Sequence, residues 1–343
     1  KVFWGNHMFN NETRNQHFIS QVEQKLNCIN PSLPRDRRRI YKFKIDDREE
    51  LTFNLVNPLG VKIENNLSFN DLYTFDVFSD RTRNNFEAYF GKYEVNIEVF
   101  TNNILNKIDN NEAITIDEIK DLIFCKMMNF IRNPFSIEKC LNTFGSLSKV
   151  SPTDTHALRE FRKIKKENIH VSPDVLAQLN ITEDKYIQWL KIIFNFFSVK
   201  MPTGYLGEEI IDAILDIDKK RIYVGIHTYD QEICLLSDRS FVDYGPALPN
   251  NFFCFAFNLN KNTFLSFMIF ENTLENIKLF CPEMAPVIDD RNLTIDVMSL
   301  LPPRIELLVS KNSVEALRGY NTQVVYQCHT HFFSASTTFL LNN

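Results

Sequence analysis

Residues 85–108 read NFEAYFGKYEVNIEVFTNNILNKI. Apolar residues recur at Phe86, Phe90, Tyr93, Ile97, Phe100 and Ile104. Alternating steps of four and three are the period of one helix face, so the spacing predicts a helix over 85–108. Working outward, a second helix is expected from about Ile116 to Ile131. Thr115 with Glu118 three residues on is the capping-box spacing, and Asn133-Pro134 stops it. A basic, exposed helix is expected over 155–166. A buried one is expected over 183–198, carried by Tyr186, Trp189, Leu190, Ile193 and Phe197. The middle of the chain is therefore helical.

Both flanks read differently. Residues 13–27 predict a helix with Phe18, Val22 and Leu26 inward. IYKFKID alternates at Tyr41, Phe43 and Ile45, and LTFNLV follows at 51–56, a pair of strands. After Pro202, strands are expected at 221–227, 232–238, 251–259 and 263–270, the first two as apolar runs covered on both faces. A helix around 305–319 and a strand at 323–327 close the chain. The expected fold is α+β: a helical middle packed on a mixed β-sheet formed mainly by the C-terminal third and the N-terminal strands. Residues 1–66, 67–200 and 201–343 form an N-terminal helix and strand pair, a helical region and a mixed α/β region, joined in one composite globular unit.

Composition sets bounds. The 343 residues include 31 Phe, a hydrophobic content of 44% and a net charge of -5. That supplies a sizeable core and argues against coating nucleic acid by bulk charge, though a local basic groove remains open. Seven cysteines at 28, 125, 140, 234, 254, 281 and 328 form no CxxC pair, which fits a reducing compartment with buried thiols. No stretch approaches the ~20 apolar residues of a membrane span. No signal-peptide pattern opens the sequence, so a cytoplasmic protein without a membrane partner is expected. Only 9 Gly are present, and the P-loop, dinucleotide-binding, nucleophile-elbow and HExxH motifs do not occur.

Five groups of residues carry candidate chemistry. Glu87, Glu94 and Glu98 share one helix face, with Gly91 leaving the surface open between them; the alternative is a solvated flank. His17 lies beside the Phe18 stripe with Arg14 before it, as a base, a ligand or a surface histidine. Ser237-Asp238 follows an apolar run, where α/β proteins place function or simply a turn. His329 and His331 alternate in CHTH. Arginines 35, 37, 38 and 39 form a cluster that suits phosphate or an exposed turn.

The order of these features resembles the bacterial domain-of-unknown-function family numbered 4238. The resemblance covers about residues 14–330. It rests on His17-Phe18-Ile19, the strand IYKFKID, LYTF at 72–75, NNFEAYFGKYE with Glu87 and Glu94, Arg132-Asn133-Pro134, and Ser237-Asp238. Ser240 stands where that family's pattern has proline, and FAFNLNKN is more polar than its counterpart. The resemblance implies that His17, Glu87, Arg132 and Asp238 converge in one pocket; it carries no activity to transfer.

The leading functional expectation is a metal-dependent hydrolase of nuclease type, fitting a toxic or defence effector. Glu87, Glu94 and Asp238 would bind Mg2+ or Mn2+, His17 would be the general base, and Arg132 would stabilise phosphate charge. The nucleic acid is the expected partner. The alternative is a non-catalytic module binding an anionic small ligand or a protein partner, with Glu87 and Asp238 orienting Arg132 and His17 through buried ion pairs.

Overall fold

The computed structural model describes residues 13–77, 82–216, 219–245, 252–271, 273–280, 286 and 305–342. Its class is α+β, as expected, with the helical middle and the sheets arranged broadly as the sequence suggests. The 85–108 pattern forms helix α2, Glu87–Asp109, and its apolar face is buried at Phe86, Phe90, Tyr93, Ile97 and Ile104. The next helix, α3, runs Ile116–Arg132, with the Thr115–Glu118 capping box formed. The helix Glu183–Ser198 is buried almost throughout.

The C-terminal third builds a five-stranded sheet in the order Val242–Asp243, Phe252–Asn260, Thr263–Glu271, Lys220–Thr228, Ile305–Lys311. Its pairs are antiparallel except the last, which is parallel, so the sheet is mixed. In a second sheet the N-terminal strand Arg39–Asp47 lies between Thr52–Leu55 and the C-terminal strand His331–Ser334. The two ends of the chain are thus joined by hydrogen bonds. One hydrophobic core runs from Phe18 through the helices to Phe333. A second, around Phe43, Tyr320 and Phe332, seals the other side of the sheets. Among the described residues no helix is long and apolar enough to cross a membrane.

Five expectations about elements are corrected. Residues 13–27 are not one helix: Asn15–His17 is a strand paired with Ser68–Asn70, and α1 covers only Gln21–Leu26. The reason is local. Ser20 accepts a hydrogen bond from the Glu23 amide and starts the helix there, as an N-cap does. The inward face of α1 is then polar, with Glu23, Gln24 and Asn27 buried while Val22 and Leu26 are only half-buried. Within 232–238 only Leu236–Ser237 is a strand. The helix expected at 305–319 is a strand over Ile305–Lys311, followed by a helix over Val314–Gln327 that replaces the strand expected at 323–327. Asn312, at φ 58°, makes the break. The 155–166 helix ends at Lys163 and buries Ala157, Glu160 and Phe161 on one face.

One turn requires glycine. Gly60 sits at φ +72°, and a Cβ there would stand 2.9 Å from the Ile40 carbonyl oxygen. Gly60→Ala is expected to cost about 1–3 kcal/mol, from left-handed strain plus that contact. Urea unfolding with an unchanged slope is the check.

Candidate functional site

α1, α2 and α3 meet along a polar seam. The carboxylate face of α2 is not a solvated flank. Glu98 pairs with Lys25 of α1 at 2.6 Å, and Glu94 pairs with Arg132 of α3 at 2.6 Å. Arg132 is fully buried. Its second terminal nitrogen donates to Asn129 Oδ1 at 3.1 Å, and its guanidinium lies 4.9 Å from the centre of the Phe90 ring. Asn129 donates onward to Glu23 at 2.5 Å, Glu23 takes Lys126 at 2.5 Å, and Lys126 also donates to the Asn258 carbonyl at 2.8 Å. Lys126, Asn129 and Arg132 stand three apart, so they share one face of α3. Burial alone would push the Glu23 carboxyl up, but Lys126, Asn129 and Arg132 hold it below its ordinary value.

Two groups stand at the open end of this seam. Glu87 is the first residue of α2, and its Oε1 is buried without a hydrogen-bond partner. Burial pushes its carboxyl up to about 7; Arg132 opposes the shift and Glu94 adds to it. His17 is the last residue of its strand and is 8% exposed. Its Nε2 lies 3.1 Å from the Glu64 carbonyl oxygen, with the Gln21 side-chain nitrogen 3.4 Å away. The shorter contact assigns the hydrogen to Nε2 and leaves Nδ1 as the lone-pair nitrogen. Burial lowers the His17 pKa, with Glu94 raising it and Arg132 lowering it, so the imidazole is neutral near pH 7. Arg132 Nε is likewise buried and unpartnered. Tyr73 holds this end of α3 through its hydroxyl, which donates to the Arg132 carbonyl at 2.7 Å. A Cβ at Gly91 would meet nothing within 4 Å, so the seam opens to solvent beside Glu94, whose side chain is 24% exposed.

The structure therefore places His17 and Glu87 each within electrostatic reach of the Glu94–Arg132 pair. Asp238 faces elsewhere. Its carboxylate accepts the amides of His329, Thr330 and His331 at 2.7–2.9 Å, closing the CHTH turn. Burial raises its pKa and those three donors pull it back. Its link to Arg132 is indirect: the neighbouring Asn133 side chain donates to the Asp238 carbonyl at 2.8 Å. Phe135 stacks on His329 at 4.3 Å and meets Phe18 edge-on at 5.3 Å, so two polar clusters are joined by aromatic packing. His331 opens a strand and His329 lies in the turn before it.

Of the expected metal set Glu87, Glu94 and Asp238, two carboxylates already have protein partners. Glu94 is committed to Arg132 and Asp238 to backbone amides. Among the described residues no group of three or more His, Cys, Asp or Glu could hold a metal ion. Two clefts lie apart from His17, Glu87 and Arg132. One of about 400 Å³ is lined by Asp117, Lys120, Asp121, Glu208 and Asp212; another of about 580 Å³ lies between the end of α2 and the strand Ile305–Lys311. Glu23, Lys126 and Asn129 were not singled out in the sequence. For Lys126 and Asn129 the signal was two polar steps of three preceding Arg132 in the apolar second half of α3; Glu23 carried no such signal. Comparison of the chain with protein-family models, with curated proteins and with solved structures gives no match.

Lys126→Met leaves the Glu23 charge uncompensated in the interior, and about 3–5 kcal/mol of stability is expected to be lost. Adding Glu23→Gln should return more than half of it in denaturant titrations. Glu87 gives a pH signature. A carboxyl raised from 4.5 to about 7 on folding stabilises the native state fully below pH 4.5 and loses that contribution as pH rises through 7. Glu87→Gln should therefore be more stable than the parent at pH 8, by about 3 kcal/mol, with the difference gone at pH 4. Urea unfolding at the two pH values checks this.

Proposed function

We propose that His17, Glu87 and Arg132 form an acid–base site for cleaving phosphodiesters, the nuclease-type reading. The observation that carries it is a buried carboxyl with an unpartnered oxygen, pushed up to about 7, and a neutral imidazole, each facing the Glu94–Arg132 pair, whose guanidinium has an unpartnered Nε. Titratable groups pushed in different directions by their surroundings are what acid and base roles require. The lone-pair nitrogen of His17 accepts the proton of the attacking hydroxyl. Glu87, protonated, gives its proton to the departing oxygen. Arg132, which has no exposed surface, acts through its charge rather than by contact with the phosphoryl oxygens, and Glu94 fixes its position. No step is routed through Mg2+ or Mn2+: Glu94 is paired with Arg132 and Asp238 with three backbone amides. The resemblance to family 4238 and the role of a defence effector stand as part of this proposal. So does a cytoplasmic setting, which the six described cysteines support as free thiols.

A second reading has its own support: the continuous buried chain Glu94–Arg132–Asn129–Glu23–Lys126 is what a fold-specifying polar network looks like. One experiment separates the two. With a labelled oligonucleotide panel, His17→Ala and Glu87→Gln should keep the native circular-dichroism spectrum and reduce cleavage at least 100-fold. The parent rate should fall above pH 7, as Glu87 deprotonates, and fall again in acid as His17 takes up a proton. Excess EDTA should leave the rate unchanged. Absence of cleavage across the panel, or a Glu87→Gln enzyme as active as the parent, rejects the catalytic reading; an Asn129→Leu chain that unfolds at pH 7 favours the network.

A further inference from the structure

The arginine cluster of the sequence lies beside this site. Arg35 and Arg37 are the ends of a short 3₁₀ turn and both are exposed. Arg35 Nε donates to the Gln21 side-chain oxygen at 2.7 Å, and the nitrogen of the same amide stands 3.4 Å from His17 Nε2. Gln21 thus accepts from the turn and packs beside the imidazole. The turn runs directly into the strand Arg39–Asp47, where Arg39 is registered against Lys62 of the adjacent strand. Lys62 leads into Ile63–Asn65, whose Glu64 carbonyl is the His17 contact. Arg38 and Arg39 are anchored through Leu33 and Gly60 carbonyls at 2.8 Å, which fixes their stems. Arg37 has no side-chain partner among the described residues. Asp36 and Glu64 are the acids on these two segments, against five cations: Arg35, Arg37, Arg38, Arg39 and Lys62. A cluster of cations whose member Arg35 stands one glutamine from the candidate base, on a chain of net charge -5, is a local feature and not a reflection of bulk charge.

We infer that this cluster is a phosphate-binding ledge for single-stranded RNA, leading the chain to His17. The inference rests on the acid–base reading above and adds its substrate. Successive phosphates of a strand repeat along its backbone and suit a row of cations better than one pocket does. The choice of RNA follows from the two proton-transfer groups. A polymer with a 2′-hydroxyl brings its own nucleophile, so a base and an acid suffice. The 2′-oxygen forms a bond to phosphorus while its proton passes to His17. The bond from phosphorus to the 5′-oxygen breaks, and that oxygen takes the Glu87 proton. The products are a 2′,3′-cyclic phosphate and a 5′-hydroxyl; no oxidant, reductant or water is consumed.

Fluorescence anisotropy with a labelled 15-nucleotide RNA tests the ledge, with Arg37→Glu/Arg38→Glu as the variant. Expected is at least a tenfold weaker affinity. The salt dependence should fall by about 1.4 in log–log slope for two lost phosphate contacts. Cleavage by the parent should leave a cyclic phosphate detectable by mass spectrometry. A double variant that binds like the parent, or a parent that does not bind the RNA, overturns the ledge. Equal affinity for the same sequence in DNA, with no cyclic product, overturns the RNA assignment. Tight binding that depends on Arg37 and Arg38 but gives no product upholds the ledge while rejecting the acid–base reading.

Discussion

A guanidinium with no exposure to solvent is the constraint around which the helices are set. Arg132 is always charged, and an uncompensated charge at that depth would cost several kcal/mol. Glu94 of α2 supplies the counter-charge, and Asn129 passes the polarity on to Glu23 and Lys126. Each contact comes from a different helix or a different turn, so the three helices cannot shift against one another without breaking charge-assisted bonds. The helix end itself is fixed by neighbours. Tyr73 and Trp189 donate to the Arg132 and Ile131 carbonyls, which the last turn of a helix would otherwise leave unpaired.

The chain changes direction at the very next residue, and this divides the polar chemistry in two. Arg132 points into the seam of α1 and α2. Asn133 accepts the Phe135 amide and donates to Asp238, facing the CHTH turn. Four residues that look like one constellation in sequence order are thus two: His17, Glu87 and Arg132 on one side, Asp238 on the other. Asp238 has an architectural task there, since three amides of a tight turn converge on it and leave little of the carboxylate for a ligand.

What the sequence made legible followed the range of the interaction. α2 and α3 were readable because their burial is periodic and, for α3, the capping box lies within four residues. Ser20 overrode an equally periodic Phe18–Val22–Leu26 stripe because a hydrogen-bonded cap decides where a helix can start, and Asn15–His17 upstream was drawn into a strand by Ser68–Asn70. The 305–327 region was inverted since its parallel partner, Lys220–Thr228, is remote in sequence. The charged identities of the site were visible as exceptions to apolar patterning. Their partners were not, because a carboxylate at 23 and an ammonium at 126 are brought together only by tertiary packing.

Glu87 does not share in the compensation that the other buried charges of the seam enjoy. As the first residue of a long helix it sits where the helix dipole favours a carboxylate, yet burial and the Glu94 charge outweigh that and hold its proton to about pH 7. Glutamine would occupy the same space with no titration to accommodate, so packing alone gives no reason for an acid here. A carboxyl that is costly to ionise at neutral pH and a histidine that is costly to protonate both face the Glu94–Arg132 pair, so two protonation states are held in opposition around it. Sequences that break local rules in this way do so mostly at functional positions, and that opposition, more than any single contact, is the ground for reading chemistry into the open end of the seam.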